Sequence, residues 1–494
     1  MRFDSMNVLI FVTDQQRRVM DFPPDWAARN LPGMTRLKRH GLSFERAFTN
    51  ACMCSPARAT MLTGYFPAQH GVKYTLEQSM SGDEYPQVSM PLPSEMPNLA
   101  TVMQATGRVP VYKGKFHVTK YLADQTRPQN KWIPSDVGQY GFTRWNPQDA
   151  GMNQNVDEEG GGSIDNDARF IYMDGSMEAG QEGALAYLRH AKVAGEPFCL
   201  VVSLVNPHDV LFYPNTYVSA GYDATWLAGD IDLPSTVHED LRGKPGIQKT
   251  FVNFTKLSFG ELKSPEDKRN YLNFYGNLMK HSDAYLVNIL DTLDALKLTE
   301  NTLIIQTADH GEMGLSHNGG RQKCFNFYEQ SINVPLIYSN PVLYPKPVTS
   351  DALVSHVDFL PTLAALFQAP PKARANWAGV DYSSIILDPS SGPVQPYVVF
   401  TYDDFQCGQT RLDWLPQPKF IVSIREERYK LAEYFDPTGA EASEWEMYDL
   451  AADPNEIHNI AAPSASRTLE QDVAYIRLRA ELDRVKQIRL QPLS

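Results

Sequence analysis

Apolar residues along this chain gather into short continuous runs separated by longer stretches of mixed polarity. Val8 to Val12, Phe198 to Val205, Thr302 to Thr307 and Val334 to Tyr338 are β-branched and bounded by polar or turn residues, the pattern of buried strands. A different period runs through Tyr275, Leu278, Met279, Leu286, Ile289, Leu290, Leu293 and Leu296. That apolar stripe at helical spacing predicts a long helix leading directly into the third strand. Helix followed by buried strand is α/β grammar. Asp157 to Ser163, with Gly160-Gly161-Gly162 at its centre, reads as an exposed loop. Pro370-Pro371 and the stretch from Pro389 to Pro396 interrupt the pattern, and strand-like runs resume at Tyr397 to Thr401 and Phe420 to Ile424. These breaks predict a larger domain over 1–388 and a smaller one over 389–494, with neither an internal repeat nor a low-complexity segment.

Composition narrows the classes. With 494 residues, 43% hydrophobic and 21% charged, the chain has the make-up of a globular protein of more than one unit. Its longest apolar run, Phe198 to Val205, falls well short of the ~20 residues that span a bilayer. The first residues, Met1 to Asn7, lack the basic, apolar and small-residue segments of a secretory signal. The net charge of −13 gives no general attraction to nucleic acid or anionic lipid, so an anionic substrate must be drawn in locally. Five cysteines cannot all pair internally and none recurs at structural-zinc spacing. A reducing, cytoplasmic setting without membrane or nucleic-acid partners is the expectation; a homo-oligomer is left open.

The chemistry-bearing residues sit at strand ends. Asp14 follows the first apolar run, Asn206-Pro207-His208 the second and Asp309-His310 the third. In open α/β sheets ligands lie beyond the carboxyl ends of the strands, so parallel neighbours would bring these residues to one edge. Each aspartate could instead merely cap a following helix. Together, two carboxylates and an imidazole suit a divalent cation, hard oxygen ligands favouring calcium, magnesium or manganese over zinc. A second cluster is Cys54-Ser55-Pro56-Ala57-Arg58, where Pro56 suits the first turn of a helix and puts Cys54 at its N-terminus. The helix dipole there stabilises an anion, and the Arg58 guanidinium can orient a tetrahedral oxyanion. An isolated cysteine would more simply be a small buried hydrophobe.

In these residues the chain resembles the formylglycine-dependent sulfatases of the alkaline-phosphatase-like superfamily. Cys54 to Arg58 matches the C-x-P-x-R signature, and the stretch continues in the family manner through Ala-Thr-Met-Leu-Thr-Gly. Further blocks follow in the family's order: Asn7 to Ile10 opening into Asp14, Gly114-Lys115-Phe116-His117, Asn206-Pro207-His208, Thr307 to Glu312, and Val357 to Thr362. Arg428-Tyr429-Lys430, Glu446 to Leu450 and Asp453 to Glu456 resemble the family's C-terminal subdomain, a small antiparallel sheet with a helix. Where many sulfatases carry two consecutive aspartates, this chain has Asp14-Gln15, a variant resembling choline sulfatases and phosphonate monoester hydrolases, which leaves Gln15 doubtful as a metal ligand. The fold so implied is α/β, a central mostly parallel sheet flanked by helices with a smaller C-terminal α+β subdomain.

The resemblance implies a sulfuric ester hydrolase. Cys54 would be converted to formylglycine by a maturation enzyme, and the hydrated aldehyde would attack sulfur with one hydroxyl and expel sulfate with the other. Asp14, Cys54, Asp309 and His310 would hold one divalent ion, calcium by preference with manganese or magnesium as alternatives. Arg58 and Lys115 would neutralise nucleophile and transferred group. His117 would be the base for the second step, and His208 and Lys323 would face the leaving-group oxygen. His317 is a further candidate for the substrate pocket, and Tyr74, Tyr112, Tyr213 and Trp414 are candidate pocket aromatics for which ordinary packing is the simpler reading. A phosphonate monoester or phosphodiester hydrolase would need nearly the same pocket. A non-catalytic binder of sulfated ligands is disfavoured because every acid, base and metal position is filled. A thiol phosphatase needs a longer spacing than the three residues between Cys54 and Arg58.

Overall fold

The fold was analysed in a computed structural model of the chain, which describes residues 3–77, 90–121, 132–151, 166–177, 180–408 and 415–493. The glycine-rich loop at 157–163 and Trp414 lie outside the described residues. In chain order the strands are β1 (Asn7–Asp14), β2 (Gly41–Phe44), β3 (Ala47–Phe48), β4 (Ala51–Cys52), β5 (Val109–Gly114), β6 (Phe198–Pro207), β7 (Thr302–Ala308), β8 (Leu336–Ser339), β9 (Val348–Ser350), β10 (Val354–Ser355), β11 (Val398–Tyr402), β12 (Phe420–Arg425), β13 (Tyr429–Phe435) and β14 (Glu444–Asp449).

The main sheet runs β5-β6-β1-β7-β8-β2-β9. β1 pairs in parallel with β6 on one side and β7 on the other, so the first three predicted strands are central parallel neighbours. The fourth, β8, is also present but antiparallel to β7. Continuous apolar runs are needed here because both faces of the sheet are covered. Val8, Ile10 and Val12 of β1 enter one core with Val201 and Ile305, whereas Leu9 and Phe11 enter the opposite core with Leu200 and Ile304. The predicted stripe becomes the helix Pro265–Ala295, started by a capping box on Ser264 and packed into the second core through Tyr275, Leu278, Leu286 and Ile289.

A second sheet, β14-β13-β12-β11-β4, is antiparallel except at one edge. There β11 takes Ala51 and Cys52 of β4 as a parallel neighbour. The strand leading into Cys54 is therefore the edge of the C-terminal sheet, which buttresses the approach to the helix Cys54–Thr63. A buried charge ties the same subdomain to the main body: Lys430 pairs with Glu329 at 3.2 Å, and with Glu456 of its own subdomain at 2.7 Å. The helix Leu469–Ile488 packs Leu478, Leu482 and Val485 against this sheet. No helix among the described residues is long and apolar enough to cross a membrane. Cys324 and Cys407 are joined in a disulfide, a pairing the cysteine count alone left open; Cys52, Cys54 and Cys199 are free and buried.

Candidate active site

Three parallel strand ends and one helix start converge on a single point. β1 ends at Asp14, β7 runs into Asp309-His310, β6 runs into His208, and the helix Cys54–Thr63 begins at Cys54. Cys54 Sγ lies 3.2 Å from His310 Nε2 and 3.6 Å from Asp14 Oδ1. One ligand atom from each of Asp14, Cys54, Asp309 and His310 falls within 4.8 Å of the others, and all four residues are buried. The donor set fits a divalent cation. Two carboxylates supply hard oxygens, and His310 Nδ1 lies 3.1 Å from the Gly311 carbonyl. Donation there leaves the Nε2 lone pair facing the cluster.

The electrostatics agree with that fit. Burial opposes the charge of Asp14, but Lys115, His208 and Arg58 outweigh it and hold its carboxyl well below the usual range. Burial, and next the Asp14 charge, push Asp309 up to about 7. Two carboxylates this close resist joint ionisation, and a cation between them removes the conflict. Burial and Asp14 also push the Cys54 thiol up to about 12, the opposite of what activates a thiolate nucleophile.

Arg58 is fixed through three groups. Its Nε donates to Asp309 at 3.0 Å, one terminal nitrogen to Asp14 at 3.1 Å, and the other to Ser203 Oγ at 2.7 Å and the Lys115 carbonyl at 2.8 Å. Lys115 Nζ lies 2.7 Å from Asp14 Oδ2 and 3.0 Å from the Gly151 carbonyl. Gly114 makes this approach possible. At φ +103°, a Cβ there would sit 1.9 Å from the Ser203 carbonyl oxygen, so only glycine lets β5 deliver Lys115 beside β6.

His117 and His208 line the cavity above Cys54 together with Lys323. Among the described residues neither ring nitrogen of His117 has a partner, and its backbone N–H donates to Asp149 at 2.8 Å. Burial, then Lys115 and Arg58, hold its imidazole well below the ordinary range. Burial likewise lowers His208, with Lys115 next in weight. Lys323 Nζ donates to Gln15 Oε1 at 2.6 Å. The residues expected to act in catalysis and metal binding are thus brought together, whereas the described pocket candidates are not. His317 does not line this cavity: its Nδ1 lies 2.5 Å from Glu239 Oε2 and its ring stacks on Tyr328 at 3.7 Å. Its left-handed backbone at φ 53° turns it away from the metal pair only seven residues upstream, a reversal that sequence proximity does not encode. Tyr112 and Tyr213 are core aromatics, and Tyr74 packs edge-on against Phe405 at 5.3 Å.

Sequence reasoning missed the residues that hold these groups in place. Glu312 accepts from Gln15 Nε2 and from the Tyr271 hydroxyl, each at 2.6 Å. Its place three residues after Asp309 was a usable signal. Ser203 and Asp149 carried none.

Comparison with known proteins follows the same outline. The sulfatase family model matches residues 6–369, and the model of the N-sulphoglucosamine sulphohydrolase C-terminal region matches residues 321–486. The chain is 24% identical over 472 residues to the choline-sulfatase of Rhizobium meliloti, covering 92% of this chain and 82% of that protein. It is 24% identical over 449 residues to the Delta 4,5-hexuronate-2-O-sulfatase of Bacteroides thetaiotaomicron, covering 88% and 80%. The phosphonate monoester hydrolase of Agrobacterium radiobacter superposes with a TM-score of 0.65 at 21% identity, covering 97% of this chain and 96% of that one. Family match, fold and the buried Asp14-Cys54-Asp309-His310 cluster lead to one conclusion: the chain belongs to the formylglycine-dependent sulfatases of the alkaline-phosphatase-like superfamily and carries the active site of a metal-assisted sulfate-ester hydrolase.

Proposed function

We propose that the protein cleaves small-molecule sulfate monoesters after a maturation enzyme has converted Cys54 to formylglycine, with calcium held by Asp14, residue 54, Asp309 and His310. The observation that carries this reading is the convergence of those four side chains at the helix N-terminus beneath a cavity lined by His117, His208 and Lys323. Formylglycine would supply a geminal diol as nucleophile and internal exit, and the bound cation would supply positive charge that favours its ionised form and polarises sulfuryl oxygens.

The chain's own residues do the rest. Arg58 and Lys115 set fixed positive charge where sulfuryl oxygens gather negative charge, and neither needs to reorganise because both are locked in buried hydrogen bonds. His117, unpartnered at both ring nitrogens among the described residues, would take the proton of the remaining hydroxyl in the second step, as the C–O bond to sulfate breaks, sulfate leaves and the aldehyde re-forms. His208 and Lys323 stand over the leaving oxygen, where a proton or a cation is required as the ester bond breaks.

The buried thiol of Cys54, pushed up to about 12, supports conversion over a thiol enzyme. Intact mass of the peptide spanning Cys54, taken from the native host, tests this: conversion of cysteine to formylglycine lowers the peptide mass by about 18 Da. An unmodified cysteine in fully active enzyme would exclude the reading. Rates on aryl sulfate and aryl phosphonate esters side by side separate a sulfatase from a phosphonate or phosphodiester hydrolase. A cytoplasmic site of action rests on cysteine usage, against which the Cys324–Cys407 bond weighs.

A further inference from the structure

The one disulfide among the described residues lies in the wall of the catalytic cavity. Cys324 and Cys407 join across 83 positions, and both line the space over Cys54 together with Lys323 and Gly408. Cys324 directly follows Lys323, the residue assigned above to the leaving-group oxygen, and its Sγ lies 3.2 Å from Sδ of Met53, the neighbour of Cys54. Neither sulfur has a part in the chemistry above.

The loop that presents Lys323 does not hold its own shape. It belongs to no helix or strand, and Gln322 and Phe325, on either side of the Lys323-Cys324 pair, have left-handed backbones at φ 69° and 56°. Side chains disfavour that region, which persists only where the surroundings enforce it. Before Lys323 the enforcement comes from Glu312, which accepts the Gln322 backbone N–H at 3.0 Å. After it, Asn326 Nδ2 donates to the Cys324 carbonyl at 3.0 Å from within the loop itself. The ties to the rest of the molecule on this side are the packing of the Phe325 ring on Phe251 and Tyr402 and the bond to Cys407. Only the second is covalent.

Cys407 sits in an anchored turn just beyond β11. Its N–H donates to the Asp404 carbonyl at 3.1 Å, and the Asp404 carboxylate accepts from the Thr75 N–H at 2.8 Å and the Thr75 hydroxyl at 2.7 Å. Gly408 follows at φ +69°, where a Cβ would come 3.1 Å from Met53 Cε. The disulfide therefore runs from a fixed turn to the residue beside Lys323. The ammonium itself donates to Gln15 Oε1 at 2.6 Å and to Gln322 Oε1 at 3.4 Å. These bonds place it only while the backbone beneath it is held.

Resting on the sulfatase reading, we propose that Cys407 is a positioning residue for the leaving group: through its bond to Cys324 it holds the Lys323 loop so that the ammonium meets the departing oxygen. A dithiol undoes this. The sulfur–sulfur bond takes up two electrons and two protons and becomes two thiols, while the dithiol closes to its own disulfide. The loop then keeps Glu312 at one end and loses its covalent tie at the other. Turnover of esters with poor leaving groups thus follows the thiol–disulfide balance around the protein, whereas a phenolate of low pKa departs without Lys323.

Three forms are compared on n-propyl sulfate and 4-nitrophenyl sulfate: the oxidised matured enzyme, the same enzyme under excess dithiothreitol, and Cys407→Ser. Reduction and Cys407→Ser should each lower kcat/KM on the propyl ester about tenfold and leave the nitrophenyl ester within about twofold. An equal loss on both esters would make the bond a merely structural tie, and no loss on either would leave it idle; both results overturn the proposal. Reduction of the folded parent stands even if the Cys407→Ser chain fails to fold. Dithiothreitol should not affect Cys407→Ser, and a loss there as large as the parent's would place its action elsewhere and overturn the assignment. In Lys323→Ala, reduction should cost nothing further on the propyl ester, because the bond acts through that residue. A further tenfold loss there would refute it. Full activity on the propyl ester in enzyme whose non-reduced digest lacks the linked Cys324 and Cys407 peptides would refute it as well. Turnover of 4-nitrophenyl sulfate by the oxidised parent reports on the sulfatase reading alone.

Discussion

Gln15 Oε1 accepts from Lys323 Nζ at 2.6 Å while Gln15 Nε2 donates to Glu312 Oε2, also at 2.6 Å. Both ends of the amide are committed, and the oxygen that might have served a metal is turned to an ammonium instead. Glu312 thereby orients Gln15, and Gln15 orients Lys323. Gln15→Ala should leave metal content near that of the parent but release Lys323 from its position. The expected signature is a loss of roughly tenfold in kcat/KM on alkyl sulfates with a much smaller loss on esters of acidic phenols. Elemental analysis showing an emptied site in this variant would make Gln15 a ligand and refute the assignment.

Metal content should respond differently at Asp14 and Asp309. Each contributes a buried anionic oxygen to the cluster, and each also accepts from Arg58, at 3.1 and 3.0 Å. Asp14→Asn or Asp309→Asn should lower both occupancy and rate, by about a hundredfold or more in rate, since a neutral amide oxygen binds a hard cation far more weakly. Full activity after exhaustive chelation, with the site proved empty by elemental analysis, would remove the metal from the mechanism.

Cys54 and Cys52 are both buried, yet they stand in different places. Cys54 opens the helix beneath the cavity, and Cys52 belongs to β4, paired with Tyr402 of the C-terminal sheet. Cys54→Ala should abolish turnover. Cys52→Ala should retain most of it, at a cost of a few kcal/mol or less in stability from the small cavity left behind. The reverse pattern would make Cys52 the modified residue, and mass analysis of the peptide would show which cysteine had been converted.

Acid should weaken the fold through His70. Its Nδ1 accepts from the Val72 N–H at 3.1 Å, and its Nε2 lies 3.0 Å from the hydroxyl of Thr60 in the catalytic helix. Burial lowers its pKa to about 3. Because the unfolded chain takes up a proton near the ordinary value of ~6.5 and the folded chain refuses it, this residue's contribution is whole above that pH. It is lost as pH falls, by up to about 1.4 kcal/mol per pH unit. Asp167, pushed up to about 7, titrates in the same window with the opposite sign, so the difference between parent and His70→Asn isolates the histidine. Urea unfolding of the two proteins should show the parent's advantage shrinking as pH falls below about 6.5. A constant difference from pH ~7.5 to ~5 would contradict a neutral buried His70.

Much of this site was legible in the sequence because strand ends and a signature spacing carry it. Asp14, His208 and Asp309-His310 each follow an apolar run, and in a parallel sheet such ends must meet. Cys54 and Arg58 lie one helical turn apart, so both face the same point. What stayed hidden depends on contacts between distant loops. Asp149 reaches His117 from 32 positions away. Ser203 meets Arg58 across 145 positions, and Glu77 lines the cavity beside Gly408, far from it in sequence. The pairing of β4 with β11 is equally invisible locally, since two residues form no periodic pattern.

The leaving group offers the sharpest separation of roles. If Lys323 and His208 protonate or stabilise the departing oxygen, their removal should hurt esters of alkyl alcohols far more than esters of acidic phenols. A phenolate of low pKa carries its own negative charge, whereas an alkoxide needs a proton or a nearby cation in the transition state. Lys323→Ala and His208→Ala should therefore steepen the dependence of rate on leaving-group pKa, with losses of about 10²- to 10⁴-fold confined to the poor leaving groups. His117 stands apart. As the base for the second step it acts after the alcohol has gone, so His117→Ala should slow every ester to a similar final rate, preceded by a burst of released alcohol close to one per active site. Among the described residues its two ring nitrogens have no partner, so no other hydrogen bond of the imidazole is lost with it. Parallel slopes for the parent and all three variants, without a burst in His117→Ala, would refute this division of labour.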